Sequence, residues 1–544
     1  MSANSPVGQA DYDAIVIGAG FSGLYILKRL RDIGLSVRLY EAGGGVGGAW
    51  YWNRYPGART DSDSMIYAFS DWFDKDLVKE WSWSERYSTQ PELEQYFNWV
   101  TEKLALREHI EFNTRLASAV FDETSSLWTL TTEAGVKATT RFFIPAVGAL
   151  SKPNIPELRG MDRFRGSAHH SAEYPSEGID FDGLRVAVIG NGATGVQIVP
   201  EVAKQARSVV HLIRSPYHLV PGRNHVLTDD EVKETQSNIT EIFDHSRTTF
   251  GSFPYDFVGA ALDLSPEDRR AEYQKSWDQG GFTFLFLFAD VLASKEANDT
   301  TMEFLQEKIR ALIKDPETAA LVTPTDPWLT KRPPLDHGYY ASLNRENVSV
   351  VDIRSNPIAT VTENSLLLHD GTEHEIDVIL FATGFDSYTG SLSAIDIRGR
   401  DDVALTQRWA DRPRNYLGLM SAMFPNMFML YCGPYNPAPF TNGPSLIEQQ
   451  SEWILQWIEH LQINGYASIE PRESAEEKFF AHHSEIANAT LIPQTASWWT
   501  RAAPSYEGAH RLVMSWAGGF PEYRRLCDEA AAGALDDFVL QPAR

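Results

Sequence analysis

AIVIGAGFSG at residues 14–23 and VAVIGNGATG at residues 186–195 decide the fold. Each is a short apolar run, a G-x-G-x-x-G turn and the start of a helix-like segment, the setting in which a dinucleotide-binding turn forms. After the first, FSGLYILKRLRDIG continues as a helix with Leu24, Leu27 and Leu30 on one face, and SVRLYEA completes a βαβ unit over residues 11–41. Gly18 makes the tight turn, Gly20 admits a pyrophosphate close to the backbone, and Gly23 lets the helix lie against the strand. The helix start then offers unpaired N–H groups and the positive end of its dipole to phosphates. Glu41 closes the second strand about 20 residues on, where an acid accepts from ribose hydroxyls and repels a 2′-phosphate. The first site is therefore expected to hold FAD or NAD, and not NADP.

The second unit, from Leu184 to Arg214, ends differently. Its turn and helix start supply Gly190, Gly192, Ala193, Thr194, Gly195 and Gln197 as cofactor-binding candidates. Its second strand, SVVHLIRS, finishes in Arg214 and Ser215 without an acid. A cation there accommodates a 2′-phosphate through charge-assisted hydrogen bonds, so this site is expected to take NADPH. The fold class that follows is α/β, with two Rossmann-like dinucleotide-binding domains.

At 544 residues the chain has room for roughly three domain-sized units. A formal charge of −25 argues against nucleic acid and against an anionic membrane surface, both of which call for a Lys/Arg excess. Cys432 and Cys527 are the only cysteines, far apart in sequence, which disfavours a disulfide framework, a metal site and a paired dithiol. The most apolar run, FTFLFLFADVLA at 282–293, is short of the ~20 residues that span a bilayer. A cytoplasmic protein with no obligate protein partner is the expectation.

Between the two glycine turns, the amphipathic stretch PELEQYFNWVTEKLAL is followed by alternating segments around LASAVFD, LWTLTT and TTRFFIPAVG, a small β-layer returning to the first sheet. Residues 225–330 turn helical. TDDE at 228–231 is a capping-box signature, and Leu305, Ile309 and Leu312 recur at helical spacing. The aromatic piece at 282–288 is read as core plus part of a substrate cavity. The expected organisation is 1–150 and 381–544 as the two parts of an FAD-binding domain, 151–224 and 331–380 as those of an NADPH-binding domain, and 225–330 as a helical insertion.

The linker FRGSAHHSAEYP, with Phe164, Gly166, His170, Tyr174 and Pro175, resembles the F-x-G-x-x-x-H-x-x-x-W-P fingerprint of the type I Baeyer–Villiger monooxygenases. It departs from that fingerprint at Tyr174, where the family has Trp. GGAWYWNRYPGARTD at 47–61 and KRPPLDHGYY at 331–340 also resemble that family, and the resemblance extends over essentially the whole chain. The resemblance implies FAD and NADPH as cofactors. It also implies insertion of one oxygen atom from O2 beside a ketone carbonyl through a C4a-peroxyflavin, giving an ester or lactone.

The same resemblance places Ala49, Trp50, Tyr51, Trp52, Tyr67 and Gly443 at the flavin. Arg59, Thr60, Asp61, Lys331 and Trp498 fall at NADP, with Lys331 as a second 2′-phosphate partner. Arg332 is implied as the active-site arginine, held by Asp61. His170 is expected to pin the linker by hydrogen bonds, not to act chemically. The segment TRAAPSYEGAH at 500–510 departs from the family's pattern at a place where a loop normally closes over the substrate. Tyr174 keeps an N- or S-oxygenating flavin monooxygenase open as an alternative, and a non-catalytic NADPH-binding flavoprotein is a second.

Overall fold

The computed structural model describes residues 10–502, 511–532 and 535–543. Tyr12–Ile17 is the central parallel strand of the first sheet. It is flanked by Val37–Tyr40 on one side and Lys137–Pro145 on the other. From Lys137–Pro145 the sheet continues antiparallel through Leu127–Thr132 and Leu116–Asp122; Asp396–Arg398 adds one edge strand and Ile110–Glu111, beside Val37–Tyr40, the other, seven strands in all. The expected β-layer is thus an extension of the nucleotide sheet itself.

The second sheet has five strands, all parallel, in the order Val348–Asp352, Ser208–Ile213, Arg185–Ile189, Val378–Phe381, Ser167–His170. Val186–Ile189 and Val378–Phe381 at its centre are buried, as sheets covered on both faces require.

Helix Phe21–Asp32 buries Leu24, Leu27 and Leu30 completely, as the spacing of its apolar residues requires. Its other partner is the 22-residue helix Gly443–Asn464, joined to it by Tyr25 Oη donating to Glu452 at 2.9 Å and by Arg29 to the same carboxylate at 3.0 Å.

Between residues 225 and 330 the described elements are helical. Helix Asp229–Ser246 opens on a complete capping box, with Thr228 Oγ1 accepting from Glu231 N and the Glu231 carboxylate accepting from Thr228 N, a cap worth about 1 kcal/mol. Helix Lys295–Leu312 corrects one expectation. Leu305 and Ile309 are buried, but Leu312 is 43% exposed, because the buried row runs on to Ile313 beyond the helix end. No helix among the described residues is long and apolar enough to cross a membrane.

A polar knot inside the apolar interior ties three distant stretches together. Glu448 accepts from Ser70 N at 2.8 Å and Ser70 Oγ at 2.7 Å. Arg247 lies 3.5 Å from the same carboxylate, donates to Ser70 Oγ at 2.8 Å, and stacks 3.6 Å over the Trp72 ring. Burial pushes the Glu448 carboxyl up to about 7, while the Ser70 hydrogen bonds and the Arg247 charge pull the other way.

In the unfolded chain the carboxyl returns to 4.5, so this group favours the fold most below that pH. The contribution is lost as pH rises to about 7 and is constant above it. Glu448→Gln should therefore lose less thermal stability than the unmodified protein between about pH 5.5 and about pH 8. An equal loss in both proteins would contradict this origin of the pH dependence.

Candidate active site

Each glycine turn is forced by contacts no side chain tolerates. A Cβ on Gly23 would stand 1.7 Å from the Gly18 carbonyl oxygen, and Gly18 itself sits at φ +104°. Helix Phe21–Asp32 starts at Gly20 with no side-chain cap and no acid in its first turn, so its N–H groups face outward unused. Glu41 is buried at the mouth, accepting from Ala19 N at 2.7 Å and Gly43 N at 2.6 Å. Burial raises its pKa and those two donors oppose the rise. Beyond it opens a cavity of about 460 Å³ lined by Ala42, Asn113, Thr114, Arg115 and Thr132. An uncapped helix start and a clamped acid fit the nucleotide half of FAD.

The glycine-rich loop after Glu41 comes so close to the first turn that a Cβ on Gly48 would meet Gly20 Cα at 2.8 Å. Trp50 Nε1 donates to Tyr67 Oη at 3.3 Å, so these two expected flavin contacts form one edge-on pair. Ala49 and Trp52 are exposed beside them. Tyr51 also has a role within the loop itself. Its hydroxyl accepts from Gly44 N at 2.9 Å, Arg54 covers its ring at 4.5 Å, and a Cβ on Gly43 or Gly45 would strike that ring. Its side chain braces the glycine loop.

In the second turn Gly190 is at φ +115°, and a Cβ on Gly195 would lie 2.0 Å from Gly190 O. A Cβ on Gly192 would meet nothing within 4 Å, which leaves open space for a pyrophosphate at the uncapped start of helix Ala193–Val202. Arg214 follows the strand Ser208–Ile213 directly. It is exposed and makes no ion pair among the described residues. Lys331 Nζ lies 3.1 Å from Ser215 Oγ and 2.6 Å from Asp326 Oδ2. Three donors therefore gather at the strand end, a set that fits the 2′-phosphate of NADPH. Gln197 spends its amide elsewhere, donating to Arg59 O at 3.1 Å and accepting from Tyr55 Oη at 2.9 Å. It joins the helix to the 55–61 loop, where Thr60 is buried with its N–H on Ser88 O.

Arg332 is held by groups the sequence did not reveal. Its Nη1 donates to Pro439 O at 2.7 Å and its guanidinium lies 4.8 Å from the centre of the Phe282 ring. The aromatic piece at 282–288 therefore does reach the candidate site. Asp61 is near enough to feel the Arg332 charge but is not in ion-pair contact with it, which corrects the expectation of a direct clamp. Burial pushes the Asp61 carboxyl up to about 6, against the Arg332 charge, a backbone donor at Leu335 and the Arg59 charge. Its Oδ1 is buried with no hydrogen-bond partner.

His170 does what the sequence implied. Its Nδ1 accepts from Ala172 N at 3.2 Å, and its Nε2 is 3.0 Å from Gly384 O, which pins the linker to the turn after Phe381. Trp498 stacks on Tyr388 at 6.0 Å, and its carbonyl accepts from Ser387 Oγ at 2.9 Å. The strands Thr500–Arg501 and Leu512–Val513 pair antiparallel. Residues 503–510, the core of the segment that departs from the family's pattern, lie outside the described residues. Gly443 opens its long helix without a side-chain cap, beside Asn442, whose Oδ1 is buried and unpartnered.

A family model described as flavin-binding monooxygenase-like matches residues 12–220. The chain is 43% identical over 530 residues to an acetone monooxygenase (methyl acetate-forming) from Gordonia sp. (strain TY-5), covering 97% of this chain and 99% of that protein. It is 38% identical to a Baeyer–Villiger monooxygenase from Pseudooceanicola batsensis, covering 96% and 95%. It is also 40% identical to a phenazine N-monooxygenase from Lysobacter antibioticus, covering 97% of each. Among solved structures, the OTEMO complex with FAD and NADP superposes with a TM-score of 0.93 at 36% identity, covering 98% of this chain and all of that one.

The free Arg214 carries the first binding test. Arg214→Ala should weaken NADPH by roughly ten- to a hundredfold in a direct titration, the scale of a lost charge-assisted hydrogen bond, and leave NADH unchanged. Equal weakening of both would contradict the 2′-phosphate assignment.

Proposed function

The chain belongs to the Baeyer–Villiger monooxygenases of the flavin-binding monooxygenase-like family, and from that membership we propose that Arg332 is its oxygen-transfer arginine. The enzyme uses FAD and NADPH to insert one oxygen atom from O2 next to a ketone carbonyl, forming an ester or lactone. The observation that carries the residue assignment is the Arg332 guanidinium, fixed by Pro439 O and Phe282 within the electrostatic reach of Asp61. Residues 1–150 and 381–544 would bind FAD, and 151–224 with 331–380 would bind NADPH.

When bound, the flavin supplies reduction of O2 and delivery of one oxygen atom, with electrons taken from NADPH. The chain's own task is to keep developing negative charge stable, dry and aimed. Arg332 suits this because a guanidinium keeps its proton at working pH, so it stabilises an oxygen anion without protonating it. Pro333 and Pro334 restrict the backbone beside it, and the Phe282 face excludes water from one side of the cation. Asp61 sets the field at that cation without spending its carboxylate on a direct bond. The likeness to a phenazine N-monooxygenase supports a second reading, oxygen transfer to an aromatic ring nitrogen.

Mass analysis of products from a panel of small ketones and one nitrogen heteroaromatic tests both readings. The first expects one inserted oxygen in the ketones. An N-oxide alone would favour the second.

Asp61 gives this reading a pH signature. Its folded pKa of about 6 leaves it ionised above that pH and neutral below. Product formed per NADPH oxidised should fall as pH drops through about 6, and Asp61→Asn should give a low ratio that is flat across the same range. The same pH limb in Asp61→Asn would exclude Asp61 as its source.

A further inference from the structure

Tyr431 lies on the stretch that leads from the first sheet to the long helix at Gly443, and its backbone is strained. Its φ is +65°, in the left-handed region that an aromatic residue rarely adopts. Two fully buried amides hold it there. Gln450 Oε1 accepts from Tyr431 N at 2.8 Å, and Asn436 Nδ2 donates to Tyr431 O at 3.2 Å. Strain of this kind costs on the order of 1–3 kcal/mol and persists where the surroundings over-determine it.

The strain puts a phenol into the candidate site. A methyl group built at Gly443 would stand 3.2 Å from Tyr431 Oη and 3.9 Å from the Tyr67 ring, so the hydroxyl sits between the uncapped helix start and the Trp50–Tyr67 pair. Tyr431 and Arg332 are within electrostatic reach of each other. Tyr67 Oη is engaged by Trp50, whereas Tyr431 Oη has no hydrogen-bond partner among the described residues. A polar group fixed by buried amides, with no partner for its only donor among the described residues, suits a ligand.

We propose that Tyr431 is a second substrate-contacting donor, whose hydroxyl hydrogen-bonds the carbonyl oxygen of the ketone and orients it against Arg332. A neutral phenol complements the guanidinium. It polarises the carbonyl as charge builds on its oxygen, and it stays protonated because burial raises its pKa. Gly443 is part of the same device, since any side chain there would press on the hydroxyl.

The inference rests on the ketone reading above, and the unmodified enzyme is the control that separates the two. Tyr431→Phe keeps the ring, and the test reads FAD content, flavin reduction by NADPH, and ester formed per NADPH oxidised. The expected result is full FAD content, unchanged reduction, and about a tenfold fall in ester per NADPH, the missing oxygen appearing as hydrogen peroxide. KM for the ketone should rise together with a fall in kcat, because the lost bond acts on both binding and reaction. If Tyr431→Phe couples as well as the unmodified enzyme, the inference is overturned. Loss of FAD, altered flavin reduction or a lowered melting temperature would overturn it too, by showing a flavin or packing role. If the unmodified enzyme makes no ester, the ketone reading fails first.

Discussion

A Cβ on Gly23 would lie 1.7 Å from Gly18 O, and one on Gly195 would lie 2.0 Å from Gly190 O. The same prohibition, imposed twice, brings a helix hard against the end of a parallel strand at two places in the chain. Each helix then starts with a bare turn of N–H groups, because neither Gly20 nor Gly192 provides a side chain to cap it. What distinguishes the two sites is chemistry at the end of the next strand. Buried Glu41 lies at one, and exposed Arg214 with Ser215 and Lys331 at the other. Charge selects the cofactor where geometry alone is the same.

The candidate oxygen-transfer site uses the opposite strategy, charge kept partly away from water. Arg332 is braced by a carbonyl and an aromatic face, while Asp61 holds a buried oxygen without a partner. Such an arrangement is costly to fold and strengthens every electrostatic interaction inside it. Elsewhere in the interior the Ser70–Glu448–Arg247 knot likewise keeps charge away from water, tying three distant segments to one another. A site of this kind stores its function in placement. No single contact would identify it.

Much of this was legible in sequence because the determining constraints are local. A G-x-G-x-x-G turn after an apolar run, a Thr-x-x-Glu cap and a strand-ending arginine each act within a few residues. His170 was readable as a pin for the same reason: its partners come from its own linker and one returning turn. The parts that could not be read are those set by distant segments. Tyr51 braces a glycine loop, Asp61 falls short of Arg332, and Phe282 and Pro439 approach from remote stretches. Tyr431 was invisible because nothing in LYCGPY marks a positive φ at a tyrosine. Leu312 misled because helical spacing does not reveal where a helix stops.

Arg332 is the group on which the account turns, and its removal separates oxygen transfer from everything that precedes it. In Arg332→Ala the cradles at Gly18–Gly23 and Gly190–Gly195 and the donors at Arg214 and Lys331 all remain. The variant should therefore retain FAD and still consume NADPH. The decisive quantity is ester formed per NADPH oxidised with a ketone present. The account predicts a fall of about 100-fold or more, the scale for one preorganised oxyanion donor, with the electrons of the oxidised NADPH recovered in hydrogen peroxide formed from O2. A ratio equal to that of the unmodified enzyme would contradict it.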